Sequence, residues 1–212
     1  MAPKGDLRVY LTLDTLQPQF AAYLGTPTRA RGYPPFAGQH ALIIEVAPGL
    51  MIERVIDLAL KADPDLEPGI LFVERQFGIL EIHGPDMASL LQAGQVMLDG
   101  LGLAAADQLA PQILYTDVIE DIADQHAVII NRNRQASMVL PGETLLIVEM
   151  VPALYAAIAA NEAEKVAPGL TLVDVQMIGA AGRVYMSGKT ADVQAGLAEI
   201  ERVLGAIKGR AG

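Results

Sequence analysis

The stretch Glu67-Pro-Gly-Ile-Leu-Phe-Val-Glu-Arg-Gln-Phe-Gly-Ile-Leu-Glu-Ile-His-Gly84 contains two short apolar runs, separated by a loop that carries the adjacent opposite charges of Glu74 and Arg75. Two such runs joined by a short loop are typical of a β-hairpin. The pattern returns in Ala167-Pro-Gly-Leu-Thr-Leu-Val-Asp-Val-Gln-Met-Ile-Gly-Ala-Ala-Gly-Arg-Val-Tyr-Met-Ser-Gly188, where the loop has lost its charges. Both copies need their strands in order to fold. The residues that differ between the two loops are not required by the fold, so they can serve function.

The rest of the chain repeats with the hairpin, at a spacing of 104 residues. This spacing relates Gly38 to Gly142, Glu45 to Glu149, Pro48 to Pro152, Lys61 to Lys165 and Gly84 to Gly188. The Pro-Gly pairs at residues 68–69 and 168–169 are 100 residues apart, which predicts small insertions between these anchors. One spacing shared by anchors this far apart indicates a duplication, and we place the two domains at residues 1–106 and 107–212.

Each half is predicted to read strand, helix, strand, helix, strand, strand, helix. In the first half we predict a strand at Leu7–Leu13, a helix at Gln17–Gly25, a loop at Thr26–Gly38 and a second strand at Ala41–Val46. A helix then runs on from Gly49, and after the hairpin Asp86 caps a helix with the buried face Leu90, Leu91, Gly94, Leu98 and Leu101. Pro111–Val118 repeats the first strand. The predicted fold is α/β, with a mostly antiparallel sheet flanked by helices in each half.

Composition restricts the function classes. Apolar residues make up 52% of the 212 residues, and the mean hydropathy is +0.34, which we attribute to surface hidden between subunits. The net charge of −10 disfavours nucleic acid, and the absence of cysteine excludes disulfides and thiolate metal sites. The longest apolar run, Leu145–Ala160, is too short to span a membrane, and the N-terminus has no apolar signal core. We therefore expect a cytoplasmic protein.

Several local patterns resemble the bacterial microcompartment shell-domain (BMC) family. Asp57-Leu-Ala-Leu-Lys61 and Asn161-Glu-Ala-Glu-Lys165 resemble its tile-edge motif, and Ile178-Gly-Ala-Ala-Gly182 is similar to its glycine-rich pore loop. The early strand and short helix in each half resemble the circularly permuted version of the domain. Two permuted copies in one chain, with Phe72-Val-Glu-Arg75 and Ile130-Asn-Arg-Asn-Arg134, resemble the tandem-domain trimeric shell proteins of the carboxysome type.

The resemblance implies a homotrimer that forms a pseudohexameric tile in a protein shell beside other shell proteins, with two trimers stacked in some members. It also implies a wide central pore for small polar or anionic metabolites, opened and closed by Glu74 and Arg75. Gln76, Phe77 and Gly78 are expected to support this loop, with Gly78 supplying unusual backbone freedom. The loop of the second copy would consist of Ile178, Gly179, Ala180, Ala181 and Gly182.

Each of these residues also has a plainer interpretation. Glu74 and Arg75 could form an ordinary surface ion pair that contributes little to stability. In a trimer, however, three arginines in a narrow opening would repel each other unless each is paired. This repulsion favours two loop conformers of similar energy. Lys61 and Lys165 could be solvated lysines on helix faces instead of tile-edge contacts. Arg132 and Arg134 could anchor an anionic ligand, and the alternative function is a trimeric regulatory protein that binds such a ligand between subunits. A third hypothesis is an enzyme with a duplicated fold, in which one repeat binds and the other has decayed.

Catalytic signals are missing from the linear sequence. We find no nucleophile beside a base, no phosphate loop and no dinucleotide fingerprint, since the glycines of residues 179–182 join two strands without a following helix. The three histidines, His40, His83 and His126, lack metal-ligand spacing. We expect a protein that is not an enzyme, with no cofactor and no metal.

Overall fold

A computed structural model describes residues 5–26 and 32–212 of the chain. The predicted loop Thr26–Gly38 lies partly, at residues 27–31, outside the described residues. The chain forms two compact units, Met1–Ala110 together with Lys208–Gly212, and Pro111–Ile207. No helix in the described part of the chain is long and apolar enough to cross a membrane.

The first unit is an antiparallel sheet covered by helices. Its elements run in the order β1 (Asp6–Leu13), α1 (Pro18–Leu24), β2 (His40–Ala47), α2 (Ile52–Ala62), β3 (Glu67–Glu74), β4 (Phe77–Gly84) and α3 (Met87–Leu101), with 3₁₀ turns at Gly49–Met51 and Ala105–Asp107. The four strands pair in the order β1-β2-β4-β3. Helices α2 and α3 pack on this sheet, and the core between them includes the fully buried side chains of Leu42, Ile44, Leu80 and Ile82.

The second unit repeats the same order of elements. They are β5 (Gln112–Ile119), α4 (Asp124–Asn133), β6 (Thr144–Val151), α5 (Ala156–Val166), β7 (Thr171–Gln176), β8 (Gly182–Gly188) and α6 (Thr190–Ala206), with a 3₁₀ turn at Ala153–Tyr155. The four strands form an antiparallel sheet of order β5-β6-β8-β7, which matches the sheet of the first unit. The predicted order of elements and the α/β fold class are therefore confirmed in both halves.

Small features of the backbone repeat with the elements. Pro48 and Pro152 both follow a cis peptide bond and lead into a 3₁₀ turn. Gly38 and Gly142 both have a positive φ, at 90° and 81°, which glycine adopts at little cost because it has no Cβ. The duplication thus extends to the conformations of single residues.

The predicted insertion near the hairpin is wrong. In the sheets, Pro68 lies opposite Ile82 and Leu172 lies opposite Met186, so the spacing of 104 residues continues through both hairpins. Pro168 and Gly169 form a turn before β7, and the matching turn of the first unit is formed by residues 64–65. The two Pro-Gly pairs are therefore not equivalent, because a short dipeptide can recur without marking the same place in the fold.

The cap of α3 is confirmed, whereas one member of its predicted buried face is not. The Asp86 carboxylate accepts a hydrogen bond from the Ser89 backbone N–H at 2.8 Å. Leu91 is 49% exposed, and Ala93 and Met97 are buried instead. Leu91 follows the buried Leu90, and one step along a helix turns a side chain by about 100°, away from the sheet.

Candidate pore loops

The first loop is a tight turn whose only unpaired residues lie at its tip. Glu74 ends β3 and is paired with Phe77, the first residue of β4, so that Arg75 and Gln76 alone make the turn. Arg75 has a φ of 53°, in the left-handed region that costs a non-glycine residue about 1 kcal/mol or more. Its Nε lies 3.6 Å from a Glu74 carboxylate oxygen, and its side chain is 89% exposed. This is a loose ion pair in which Arg75 remains available to solvent.

The second loop occupies the matching place in the other unit. Adding 104 to residues 74–78 gives residues 178–182, which follow β7 and end on Gly182, the first residue of β8. Arg75 corresponds to Gly179, which also has a positive φ, of 132°. The two loops therefore share a backbone feature at their tips while differing in charge, since Ile178 and Gly179 stand where the first unit has Glu74 and Arg75.

Glycine is required at the base of each loop for space. A Cβ on Gly78 would lie 2.1 Å from the Gly49 carbonyl oxygen, and a Cβ on Gly182 would lie 2.2 Å from the Ala153 carbonyl oxygen. Gly78 does not have a positive φ, so the backbone freedom predicted for it is wrong. The left-handed residue of this loop is Arg75, and Gly78 serves to bring β4 close to the 3₁₀ turn.

Behind the first loop, Phe77, which was predicted to support it, contacts Arg8, a residue for which the sequence predicted no role. The Arg8 guanidinium carbon lies 3.7 Å from the centre of the Phe77 ring, and Arg8 Nε donates a 2.7 Å hydrogen bond to the carboxylate of Glu45. Burial raises the pKa of the Glu45 carboxyl, and the hydrogen bond and charge of Arg8 oppose that rise. The available signal was a glutamate repeated at the same place in two otherwise apolar strands, as Glu45 and Glu149.

A different set of side chains lies at the base of the second loop. Arg183 Nε donates a 2.8 Å hydrogen bond to Glu149, and Arg183 Nη1 donates a 3.0 Å bond to the side-chain oxygen of Gln176. Gln176 in turn donates to Asp174 at 3.2 Å. These polar contacts join β6, β7 and β8 where the loop leaves the sheet.

The two predicted tile-edge lysines differ in their surroundings. Lys61 lies 2.6 Å from Asp57, one helical turn away, and its side chain is 73% exposed. Lys165 lies 3.7 Å from Glu162, and its side chain is 38% exposed. Exposed ion pairs of this kind add little to stability, which leaves Lys61 able to form other contacts.

The two predicted anion anchors have different surroundings. Arg134 directly follows α4 and donates a hydrogen bond to the Asn131 carbonyl oxygen, which is a helix-capping contact. Arg132 is exposed on the last turn of α4. Among the described residues, no group of three or more His, Cys, Asp or Glu side chains is arranged to hold a metal ion.

A buried acid and base lie on β4 of the first hairpin. Glu81 and His83 are both fully buried, and a Glu81 carboxylate oxygen lies 3.0 Å from His83 Nδ1. His83 Nε2 is 3.5 Å from the carboxylate of Glu67 on β3. Burial raises the pKa of the Glu81 carboxyl, and its contact with His83 opposes the rise without cancelling it. The matching residues of the second unit are Tyr185 and Ser187, so this pair belongs to the first unit.

This pair predicts a pH dependence of stability. A glutamate in the unfolded chain ionises near pH 4.3, while Glu81 in the native protein keeps its proton to a higher pH. As the pH rises above about 4.3, the unfolded chain loses this proton first, so Glu81 lowers the free energy of unfolding. We expect the urea midpoint of Glu81→Gln to rise relative to that of the wild type as the pH rises.

The matched control is Gln92→Ala, which changes an exposed side chain on α3 that carries no ionisable group. Its difference from wild type should stay nearly constant over the same pH range, because no titrating group is changed. A pH-independent difference for Glu81→Gln as well would contradict a raised pKa at this position.

The chain is similar in sequence to carboxysome shell proteins over nearly its whole length. Residues 7–107 match the family of the CsoS1D N-terminal domain. The chain is 40% identical to the carboxysome shell protein CcmP of Synechococcus elongatus, over 97% of this chain and 94% of the relative. It is 43% identical to the carboxysome shell protein CsoS1D of Prochlorococcus marinus, over 95% of this chain and 78% of the relative.

Two solved structures share the fold of the whole chain. The double ringed trimeric shell protein MSM0271 from the RMM microcompartment is 60% identical, with a TM-score of 0.94 and coverage of 98% of this chain and 100% of that chain. The fused permuted hexameric shell protein MSM0275 from the same microcompartment is 47% identical, with a TM-score of 0.91 and coverage of 97% and 99%. The resemblance on sequence motifs is thereby confirmed, and the chain belongs to the family of the carboxysome shell proteins CcmP and CsoS1D.

Proposed function

We propose that this chain is a structural shell protein of a bacterial microcompartment, and that it forms a trimeric, pseudohexameric tile with a gated central pore. Three chains of two similar units give a closed ring of six units in which two kinds alternate. Shell proteins cover nearly the full length of this chain in both comparisons, which supports a structural role over an enzymatic one. Its partners are other copies of itself and other shell proteins, which Lys61 and Lys165 contact at the tile edges.

The observation that supports the proposed pore is the pair of matched loops, one in each unit. Both have a left-handed residue at the tip, but one presents Glu74 and Arg75 while the other presents Ile178 and Gly179. In a trimer, each loop occurs three times around the axis. Arg75 is permanently charged and only loosely paired, so three copies near the axis attract small anions and repel each other. A small change in the pairing with Glu74 then shifts the loops between two arrangements.

The direct test is the passage of inorganic phosphate into shells assembled with this protein, followed with an enclosed fluorescent phosphate reporter. We expect Arg75→Gln to lower the rate about tenfold, because removing three charges weakens the attraction of the pore for phosphate by roughly 1.4 kcal/mol. Arg202→Gln is the matched control, since Arg202 forms an exposed ion pair with Glu199 on α6. Equal rates for wild type and Arg75→Gln, or a trimer without an axial opening, would overturn the proposal.

An exposed apolar face supports the stacking of two trimers. Val128 and Ile129 on α4 are 50% and 59% exposed, and Met138 and Leu140 are 50% and 52% exposed. Asn131 on α4 forms hydrogen bonds with both the N–H and the carbonyl of Val139. Because Val139 lies between Met138 and Leu140, these bonds hold both residues beside α4. We infer that a second ring covers this face, and the description of one solved relative as a double ringed trimer supports such stacking. Mass photometry should find particles of six chains for wild type and of three chains for Ile129→Asp, and three chains in both would exclude stacking.

A further inference from the structure

Arg8 occupies a bulge in the edge strand of the first unit. The pairing of β1 with β2 skips one residue between Leu7 and Val9, which leaves Arg8 as the extra residue. Its carbonyl oxygen accepts a hydrogen bond from the Leu109 N–H at 3.0 Å, which fixes the backbone of the bulge. β-Bulges re-aim a side chain relative to the regular alternation of a strand. Here the bulge brings the Arg8 side chain onto β2 and β4.

The Arg8 side chain is held on two sides. Glu45 on β2 is 1% exposed and accepts the 2.7 Å hydrogen bond of Arg8 Nε, so the guanidinium has a charged partner that is itself fixed in the sheet. Phe77 on β4 receives the guanidinium over its ring at 3.7 Å. Such a cation–π contact is stronger when the cation is shielded from water, and the Arg8 side chain is only 21% exposed.

Phe77 directly follows the two-residue turn of the proposed gate, which consists of Arg75 and Gln76. It pairs with Glu74, and the two residues between them include Arg75 in its left-handed conformation. A turn with a strained arginine needs support from its surroundings. We propose that Arg8 is a positioning residue for the gate, which holds the turn in this conformation by fixing Phe77 with the help of Glu45.

The second unit has the same bulge without the same contact. There the extra residue is Leu114, which is 48% exposed, and the residue matching Phe77 is Ala181. Its loop has glycine at the left-handed position, which needs no such support. The unit with the strained arginine is therefore the one that contains the arginine–phenylalanine contact.

The absence of cysteine allows a clean test. In a Gln76→Cys background, a nitroxide label placed at the turn reports its order by its spectral line shape, and reports the separation of the three turns by dipolar distances. We expect Phe77→Leu to raise the ratio of mobile to ordered label about two- to thirtyfold, the range that corresponds to a cation–π contact. Phe77→Tyr keeps the ring and should restore the wild-type spectrum.

Two controls separate this contact from a general effect on the hairpin. Phe72→Leu removes a ring from β3 and should leave the label ordered, and thermal melting should show that every variant is folded. An unchanged spectrum for Phe77→Leu, an equal change for Phe72→Leu, or no rescue by Phe77→Tyr would overturn the role of Arg8.

The inference rests on the proposed pore, and the distances distinguish the two. If Phe77→Leu mobilises the label but the three labels lie too far apart to share an axis, the Arg8 contact stands and the gate fails. If the labels lie close together and Phe77→Leu changes nothing, the gate stands and the role of Arg8 fails.

Discussion

Gly78→Ala is expected to lower the free energy of unfolding of the first unit by about 3 kcal/mol or more, the upper range for overpacking a tight contact. The added methyl would lie 2.1 Å from the Gly49 carbonyl oxygen and 2.6 Å from Ile52 Cβ. Both neighbours belong to regular structure, the 3₁₀ turn and the start of α2, so neither can rotate away as the end of a long side chain could. Relief would require β4 to separate from α2, which would open the core.

The duplication supplies a second test of the same contact. Gly182→Ala should have a similar effect on the second unit, since its methyl would lie 2.2 Å from the Ala153 carbonyl oxygen. Gly205→Ala is the control: nothing lies within 4 Å of its Cβ position, and alanine is favoured over glycine in a helix such as α6 by up to about 1 kcal/mol. Urea midpoints of the three variants give the comparison. Equal stability of Gly78→Ala and Gly205→Ala would refute a close contact at β4.

Leu50→Glu is expected to prevent trimer formation. Leu50 is 75% exposed, whereas its equivalent Leu154 is fully buried. The same difference separates the exposed Glu53 and Asp57 from the buried Ala157 and Asn161. In a ring where two similar units alternate, equivalent surfaces have similar surroundings, so the surface around Leu50 should be covered by a neighbouring chain. A buried carboxylate without a partner would weaken each such contact by about 3 kcal/mol, or more than a hundredfold.

Sedimentation of Leu50→Glu at micromolar concentration measures this effect directly. The control is Leu91→Glu, because Leu91 is 49% exposed on α3 and Gln194, at the same distance from the start of α6, is exposed as well. We expect smaller species for Leu50→Glu alone. A trimer that survives Leu50→Glu would show that this surface faces solvent in the assembly.

Most of the fold could be predicted from the sequence because its signals are local or repeated. Apolar periodicity indicated the order of strands and helices, and Asp86 marked the start of α3. The repeat then supplied a check that a single domain does not offer. The errors arose where one signal stood alone: the second Pro-Gly pair marked a different turn, and Leu91 was assigned to the core face by its apolar character.

The positions of the two loops and of the neighbouring Phe77 could be predicted from the sequence, but the Arg8 side chain that contacts Phe77 could not. Two charges at a hairpin tip are visible in the sequence, and their role as a gate stays a prediction, as do the edge lysines. The contact of Arg8 with Phe77 joins residues far apart in the chain and depends on a bulge, which leaves no local pattern. In the same way, the left-handed conformation falls on Arg75 and not on the nearby glycine, because Gly78 is needed for close packing.

The division of the chain into two unlike copies also changes how a ring can evolve. In a ring of six identical chains, a single substitution enters six times, so a local cost of about 0.5 kcal/mol becomes about 3 kcal/mol for the assembly, if the sites are independent. In a ring of three duplicated chains it enters only three times, and the other three positions keep their residue. Substitutions can therefore accumulate in one set of three loops while the residues of the other three loops stay unchanged.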